Sequence, residues 1–135
     1  MRNSILPFLA GLLLLTAAGP APHDPAVVVS TELGDIVIEV YPQAAPLTAM
    51  NFLRYVEAGL YDGSNFHRTV TLANQPDNKV KIEVIQGGEL PPEKGFLPIR
   101  HETTELTGLL HRDGTVSMAR DEPGSASSSF FICIN

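Results

Sequence analysis

The heptapeptide SNFHRTV, residues 64–70, decides how this chain is read. From Phe66 onward it is rich in aromatic and β-branched residues, and it predicts a strand over Phe66–Thr71. A period of two then sets Phe66, Arg68 and Val70 on one face and His67 on the other. An arginine between two apolar neighbours is awkward in a core and wasteful on a surface. No acid within the stretch pairs with it. Arg68 is therefore the first candidate for function, while His67 reads as a hydrogen-bonded structural residue.

Upstream, AVVVSTELGDIVIEVYP (26–42) reads as two strands joined by a turn at Gly34–Asp35, with Ile36, Ile38 and Val40 sharing a face. APLTAMNFLRYVEAGLYDG (45–63) follows. Pro46 suits a first helical turn and Gly59 a C-terminal cap. Ala49, Phe52, Leu53 and Val56 recur at helical spacing and predict one buried stripe. Downstream, the breakers NQPDN (74–78) precede a predicted strand, KVKIEVI (79–85). Val80, Ile82 and Val84 share a side there, and Gln86 falls in phase with them: a polar amide aimed where a core should be.

GGELPPEKGFLPIRHETTELTG (87–108) is a long Gly/Pro-punctuated loop, of the kind that borders a site. RDGTVSMAR (112–120) predicts a turn and a short strand in which Val116 and Met118 alternate with Ser117 and Ala119. DEPGSASSS (121–129) is a polar loop, and FFICIN (130–135) begins a last strand. Many strands and one helix imply a mainly antiparallel barrel or sandwich. No repeat or domain linker interrupts it. An apolar strand with no partner after it invites aggregation, so the domain is expected to continue past Asn135.

The 135 residues, 44% hydrophobic, suit one globular domain. Residues 1–21 are set apart from it. Arg2, an apolar run from Ile5 to Leu15, and small residues at Thr16 and Ala18 form the three-part pattern of a secretory signal peptide. The run is shorter than the roughly 20 residues that span a bilayer. Export, to the periplasm or outside, is the expectation; a retained membrane anchor is the alternative. The net charge is −6 and the cations are scattered, which argues against nucleic acid or an anionic membrane surface as partner. The lone Cys133 sits in an apolar run and reads as a small core residue.

The usual chemistries find no support. His23, His67, His101 and His111 lack metal spacing, and no HExxH or CxxC occurs, so no metal or other cofactor is expected. HETTE (101–105) reads as a solvated loop, and the serines of GSASSSF as turn residues without the GxSxG elbow. Gly87–Gly88 is no phosphate loop. What remains is an arginine, an in-phase glutamine and aromatics.

Taken together, FHRTV, VIQGG, GTVSMAR and SSSFFICI, in that order, resemble the cyclophilins, peptidyl-prolyl cis/trans isomerases. The likeness runs from about Val27 to Asn135. It implies a mainly β, cyclophilin-like antiparallel barrel with one or two helices over residues 26–135, incomplete at the C-terminus because the family's last strands are missing. It further implies that Arg68 is catalytic, that Phe131 walls a proline slot with Val84 and Met118, and that Phe130 is core. By the same likeness Gln86 orients the arginine and the substrate carbonyl, and Ala119 and Arg120 form the strip that pairs with substrate backbone. The sequence departs from the family where TVTLANQPDNKVKIEVI replaces a shorter link containing Pro-Gly-Phe, and where Ser129 replaces a second glutamine.

The implied function is isomerisation of Xaa–Pro bonds in proline-containing polypeptides, aiding folding outside the cytoplasm, by a monomer that touches membrane only through an uncleaved leader. The alternatives are a non-catalytic proline-binding or chaperone-like module, or an inactive truncated fragment. The reaction forms no covalent intermediate. The barrier to peptide rotation is about 18–20 kcal/mol because nitrogen shares its lone pair with the carbonyl. A donor that meets the prolyl nitrogen only in the twisted state lowers that barrier. The guanidinium, always charged and donor-only, is suited to it.

Overall fold

A computed structural model describes residues 23–134, so the leader pattern in residues 1–21 lies outside the described residues. The described chain is mainly β, with six strands in two antiparallel sheets and two helices. Strands β1 (Ala26–Thr31) and β2 (Gly34–Glu39) form a hairpin in which Val27 faces Ile38 and Val29 faces Ile36. Its turn falls on Glu32–Leu33, not on Gly34–Asp35 as the sequence suggested. The Thr31 hydroxyl accepts from the Leu33 amide (3.2 Å) and donates to the Gly34 carbonyl (2.7 Å), closing the loop early. Gly34, at φ +125°, takes a conformation side chains avoid and so opens the second strand.

Helix α1 (Pro46–Glu57) follows, and Gly59 beyond it adopts φ +64°. Ala49 and Phe52 are buried, with Leu53 and Val56 packed beside them, as the stripe predicted. The second sheet runs β3 (Phe66–Val70), β4 (Val84–Gly87), β6 (Phe130–Cys133), β5 (Val116–Met118), all antiparallel. The main core lies where the hairpin, α1 and one face of this sheet meet: Ile38, Val40, Ala49, Phe52, Met118, Ala126 and Phe130. Phe130 is its hub. Its ring meets Phe52 at 5.5 Å, Tyr61 at 5.4 Å and Phe66 at 6.1 Å, all edge-on, the arrangement aromatic quadrupoles favour.

The strand expected over residues 79–85 is much shorter than the alternation suggested. Pairing begins only at Val84, while Val80 and Ile82 are exposed. Gln75 explains the difference. Its buried side chain donates to the carbonyls of Thr71 and Ile82 and accepts from the Ile82 amide. The backbone groups that a strand at Ile82 would need are held by this amide, so residues 71–83 form a pinned loop.

HETTE is not simply a solvated loop either. The N-terminus of α1 has no side-chain cap of its own. Glu102 supplies one from 54 and 55 residues away, accepting from the amides of Thr48 (2.8 Å) and Leu47 (3.0 Å). A carboxylate there satisfies orphan donors and meets the positive end of the helix dipole. Partial desolvation pushes the Glu102 carboxyl up, but the bonds from Thr48 and Leu47, with the Arg100 cation, outweigh it and hold the group below its ordinary value. The stabilisation is therefore fully present above the usual glutamate value of about 4.3 and is lost as pH falls through the lower folded value. Glu102→Gln is expected to lower unfolding free energy by about 1 kcal/mol at pH 7. In urea melts the gap between the two proteins should close as the pH falls below 4.

Candidate active site

The register of the four-stranded sheet assigns each side chain to a face. Arg68, Gln86, Phe131 and Ser117 stand opposite one another in a single row across all four strands. The next row on that face is Val70, Val84 and Cys133. The opposite face carries Phe66, Gly87, Phe130 and Met118 in one row, and belongs to the main core.

This corrects one expectation. Phe66 does not share a face with Arg68 and Val70. The pairing slips between Phe66 and Arg68, a β-bulge that leaves His67 without a partner residue on β4. The extra residue turns Phe66 inward against Phe130 and leaves Arg68 on the outer face. His67 faces Glu89, 3.0 Å away, just beyond β4. Gly87, which ends β4, makes room for the bulge, and Gly88 after it makes room for the aromatic rings of the core. A Cβ on Gly87 would sit 2.9 Å from the Asn65 carbonyl oxygen. One on Gly88, which has φ +69°, would sit 2.8 Å from the rings of Phe130 and Tyr61.

The sheet brings together four of the residues singled out from the sequence: Arg68, Gln86, Phe131 and Val84. Arg68 donates through one terminal nitrogen to Gln86 Oε1 at 3.0 Å. Gln86 sits between Arg68 and Phe131 in the row. Arg68 is exposed and Gln86 half-buried, so the guanidinium is tethered while most of its donors face outward. Phe131 is half-buried and packs on Val70, Val84 and Cys133. Val84 thus forms the floor beneath the ring and is itself buried. Burial pushes the Cys133 thiol up, with Asp113 adding to the shift, so the thiol is neutral here and acts as apolar filling.

The remaining candidates lie nearby in different roles. Met118 belongs to the core row, yet lines, with Phe131, a cavity of about 370 Å³ beside the site. Arg120 lines the same cavity. Ala119 follows β5, and its amide is taken by the Ser129 carbonyl at 2.8 Å.

One residue of the site, His111, had escaped the sequence reading, and another, Ser129, stood there only as a departure from the family. The His111 imidazole stacks on Phe131, centroids 5.8 Å apart and planes at 16°, and covers one side of the ring. Nothing in its loop distinguishes it beforehand. Ser129 accepts from Gln86 Nε2 at 3.0 Å. The family likeness marked this position only as the loss of a second glutamine; its hydrogen bond to Gln86 comes from the structure. No group of three or more His, Cys, Asp or Glu side chains is placed to hold a metal among the described residues.

The family model for cyclophilin-type peptidyl-prolyl cis-trans isomerases matches residues 26–135. The chain belongs to the cyclophilin family. A peptidyl-prolyl cis-trans isomerase of Acinetobacter baylyi is 36% identical over 98% of this chain and 65% of its own length. Peptidyl-prolyl cis-trans isomerase A of Dickeya dadantii is 33% identical, covering 98% of this chain and 67% of its own. Isomerase B of Escherichia coli K12 is 37% identical over 76% and 58%. The chain therefore spans between about three fifths and two thirds of these relatives. Within this cyclophilin, the site arginine is a surface group on a strand whose core anchor is Phe66. Arg68→Ala should therefore change unfolding free energy by less than about 0.5 kcal/mol in denaturant melts. Gly88→Ala, by contrast, should destabilise the fold by more than about 2 kcal/mol, since it combines a forced left-handed backbone with ring overlap.

Proposed function

We propose that this chain accelerates cis/trans rotation about Xaa–Pro bonds in polypeptides. The observation that supports this best is the row Arg68–Gln86–Phe131: a tethered guanidinium, with one strand between it and an apolar ring on a valine floor. Phe131 and Val84 offer the pyrrolidine ring an apolar surface, and His111 bounds it on one side. The planar amide offers its nitrogen no free lone pair, so Arg68 gains little from the ground state. As the bond twists, the nitrogen becomes pyramidal and accepts a hydrogen bond from the guanidinium. That interaction belongs to the transition state alone. A rate gain of about 10⁴-fold needs only roughly 5–6 kcal/mol, within reach of a charge-assisted hydrogen bond and positioning together.

The names of the relatives support the same reading, since all three are isomerases of this type. The exposure of Arg68 favours one competing reading, a module that binds proline without speeding rotation. A protease-coupled or exchange-NMR assay on a short Ala-Pro peptide decides between them. The wild-type chain should isomerise the peptide, and Arg68→Ala should lower kcat/KM by about 100-fold or more, a loss of roughly 3 kcal/mol of transition-state stabilisation. Activity that survives the substitution rules out the arginine mechanism, and peptide binding without catalysis by wild type establishes the module.

We also propose that the work is done outside the cytoplasm, on nascent exported chains whose prolyl bonds equilibrate over tens of seconds unaided. The support is the charged start, apolar run and small residues of positions 1–21. Fusing residues 1–25 to a reporter active only after export should give signal in a bacterial host. An Arg inserted into the Leu12–Leu15 run should abolish it.

A further inference from the structure

We propose that Ser129 is a positioning residue for Arg68, acting through Gln86; this rests on the isomerase reading above. The chain of contacts is continuous. Arg68 donates to Gln86 Oε1 at 3.0 Å, Gln86 Nε2 donates to Ser129 Oγ at 3.0 Å, and Ser129 Oγ donates to the Gly87 carbonyl at 3.3 Å. Each direction fixes the next. A guanidinium can only donate, so the end of Gln86 that meets it must be the oxygen. The amide nitrogen then points at Ser129, whose hydroxyl accepts it and must send its own proton elsewhere. The Gly87 carbonyl, part of the β4 backbone, receives that proton. The far end of the relay is thus main chain.

The near end is mobile without it. Arg68 is exposed and makes no salt bridge among the described residues, and Gln86 is its hydrogen-bonded tether there. The terminal torsion of a glutamine is broad and close to two-fold. Released from Ser129, the amide samples the flipped state, in which its NH₂ faces the guanidinium and the tether is lost. Ser129 holds it in the one orientation that Arg68 can use. A role in strand pairing is separate, because the Ser129 carbonyl, not its side chain, accepts from Ala119.

The isosteric pair Ser129→Thr and Ser129→Val, with Ser129→Ala beside them, tests this on the full chain. The Thr variant keeps a hydroxyl, and the Val variant keeps its shape without one. Threonine should retain kcat within about twofold of wild type. Valine and alanine should lose about three- to tenfold in kcat with KM nearly unchanged, the size expected for one neutral hydrogen bond. In ¹⁵N–¹H spectra the Gln86 side-chain amide and the Arg68 guanidinium resonances should shift in Val and Ala but not in Thr. Equal kcat for Thr and Val overturns the proposal, as does a loss confined to KM or unmoved Gln86 and Arg68 resonances. If wild type proves inactive, the isomerase reading falls, and the spectra alone then decide whether the relay exists.

Discussion

One extra residue at His67 lets a single strand serve two faces. Phe66 must reach the aromatic hub at Phe130, and Arg68 must stay out of it. With strict alternation the two would lie together, burying either the guanidinium or leaving the ring outside. An uncompensated buried charge costs several kcal/mol, and an exposed phenylalanine forfeits about 2–3 kcal/mol of burial. The bulge avoids both costs. It exists because Gly87 has no side chain where the Asn65 carbonyl and the Phe66 ring come close. Phe-His-Arg and Gln-Gly-Gly are therefore two halves of one device: the first supplies the extra residue, the second the space for it.

What the sequence discloses and what it hides follow from the range of the forces involved. The hairpin, the buried stripe of α1 and the split between Phe130 and Phe131 are set by period and burial, which neighbours along the chain reveal. Arg68 and Gln86 stood out because each is polar where its strand is apolar, and the sheet sets them side by side. The bulge was hidden, since alternation assumes regular pairing and His67 looks like an ordinary outward residue. The run from Lys79 to Glu83 misled for a different reason. Its alternation is genuine, but Val80 and Ile82 face solvent because a side chain seven residues before Ile82 has taken the backbone partners. Glu102 was illegible because its partners lie more than fifty residues away.

Buried amides and a phenol do for the long loops what ladders do for the strands. Asn51, almost fully buried, donates to the Ser127 carbonyl at 2.6 Å and accepts from Arg54. Arg54 in turn donates to the Leu97 carbonyl and lies 4.5 Å from the Phe96 ring centre. Tyr55 accepts from the Phe96 amide at 2.7 Å, and Leu90 donates to the Ser128 hydroxyl. The loop from Gly88 to Gly108 is thus tied at Leu90, Phe96, Leu97 and Ile99, and then at Glu102. It reaches His111 and the rim of Phe131 from a fixed direction, although little of it is regular structure.

The tether on Arg68 is neutral, and this suits the chemistry. A carboxylate would hold the guanidinium more firmly, but it would also claim a pair of donors in a bidentate fork and cancel the charge that a twisted prolyl nitrogen is meant to feel. The chain has fifteen acidic residues and a net charge of −6, so acids were available. The acid nearest the bulge, Glu89, faces His67 at 3.0 Å and not Arg68. A glutamine uses one of the five guanidinium N–H groups, sets the plane of the group, and leaves its charge intact. The strength that a neutral tether lacks is recovered by anchoring its far end in the backbone of β4 through Ser129. Orientation and charge are thus supplied by different residues, and neither is gained at the expense of the other.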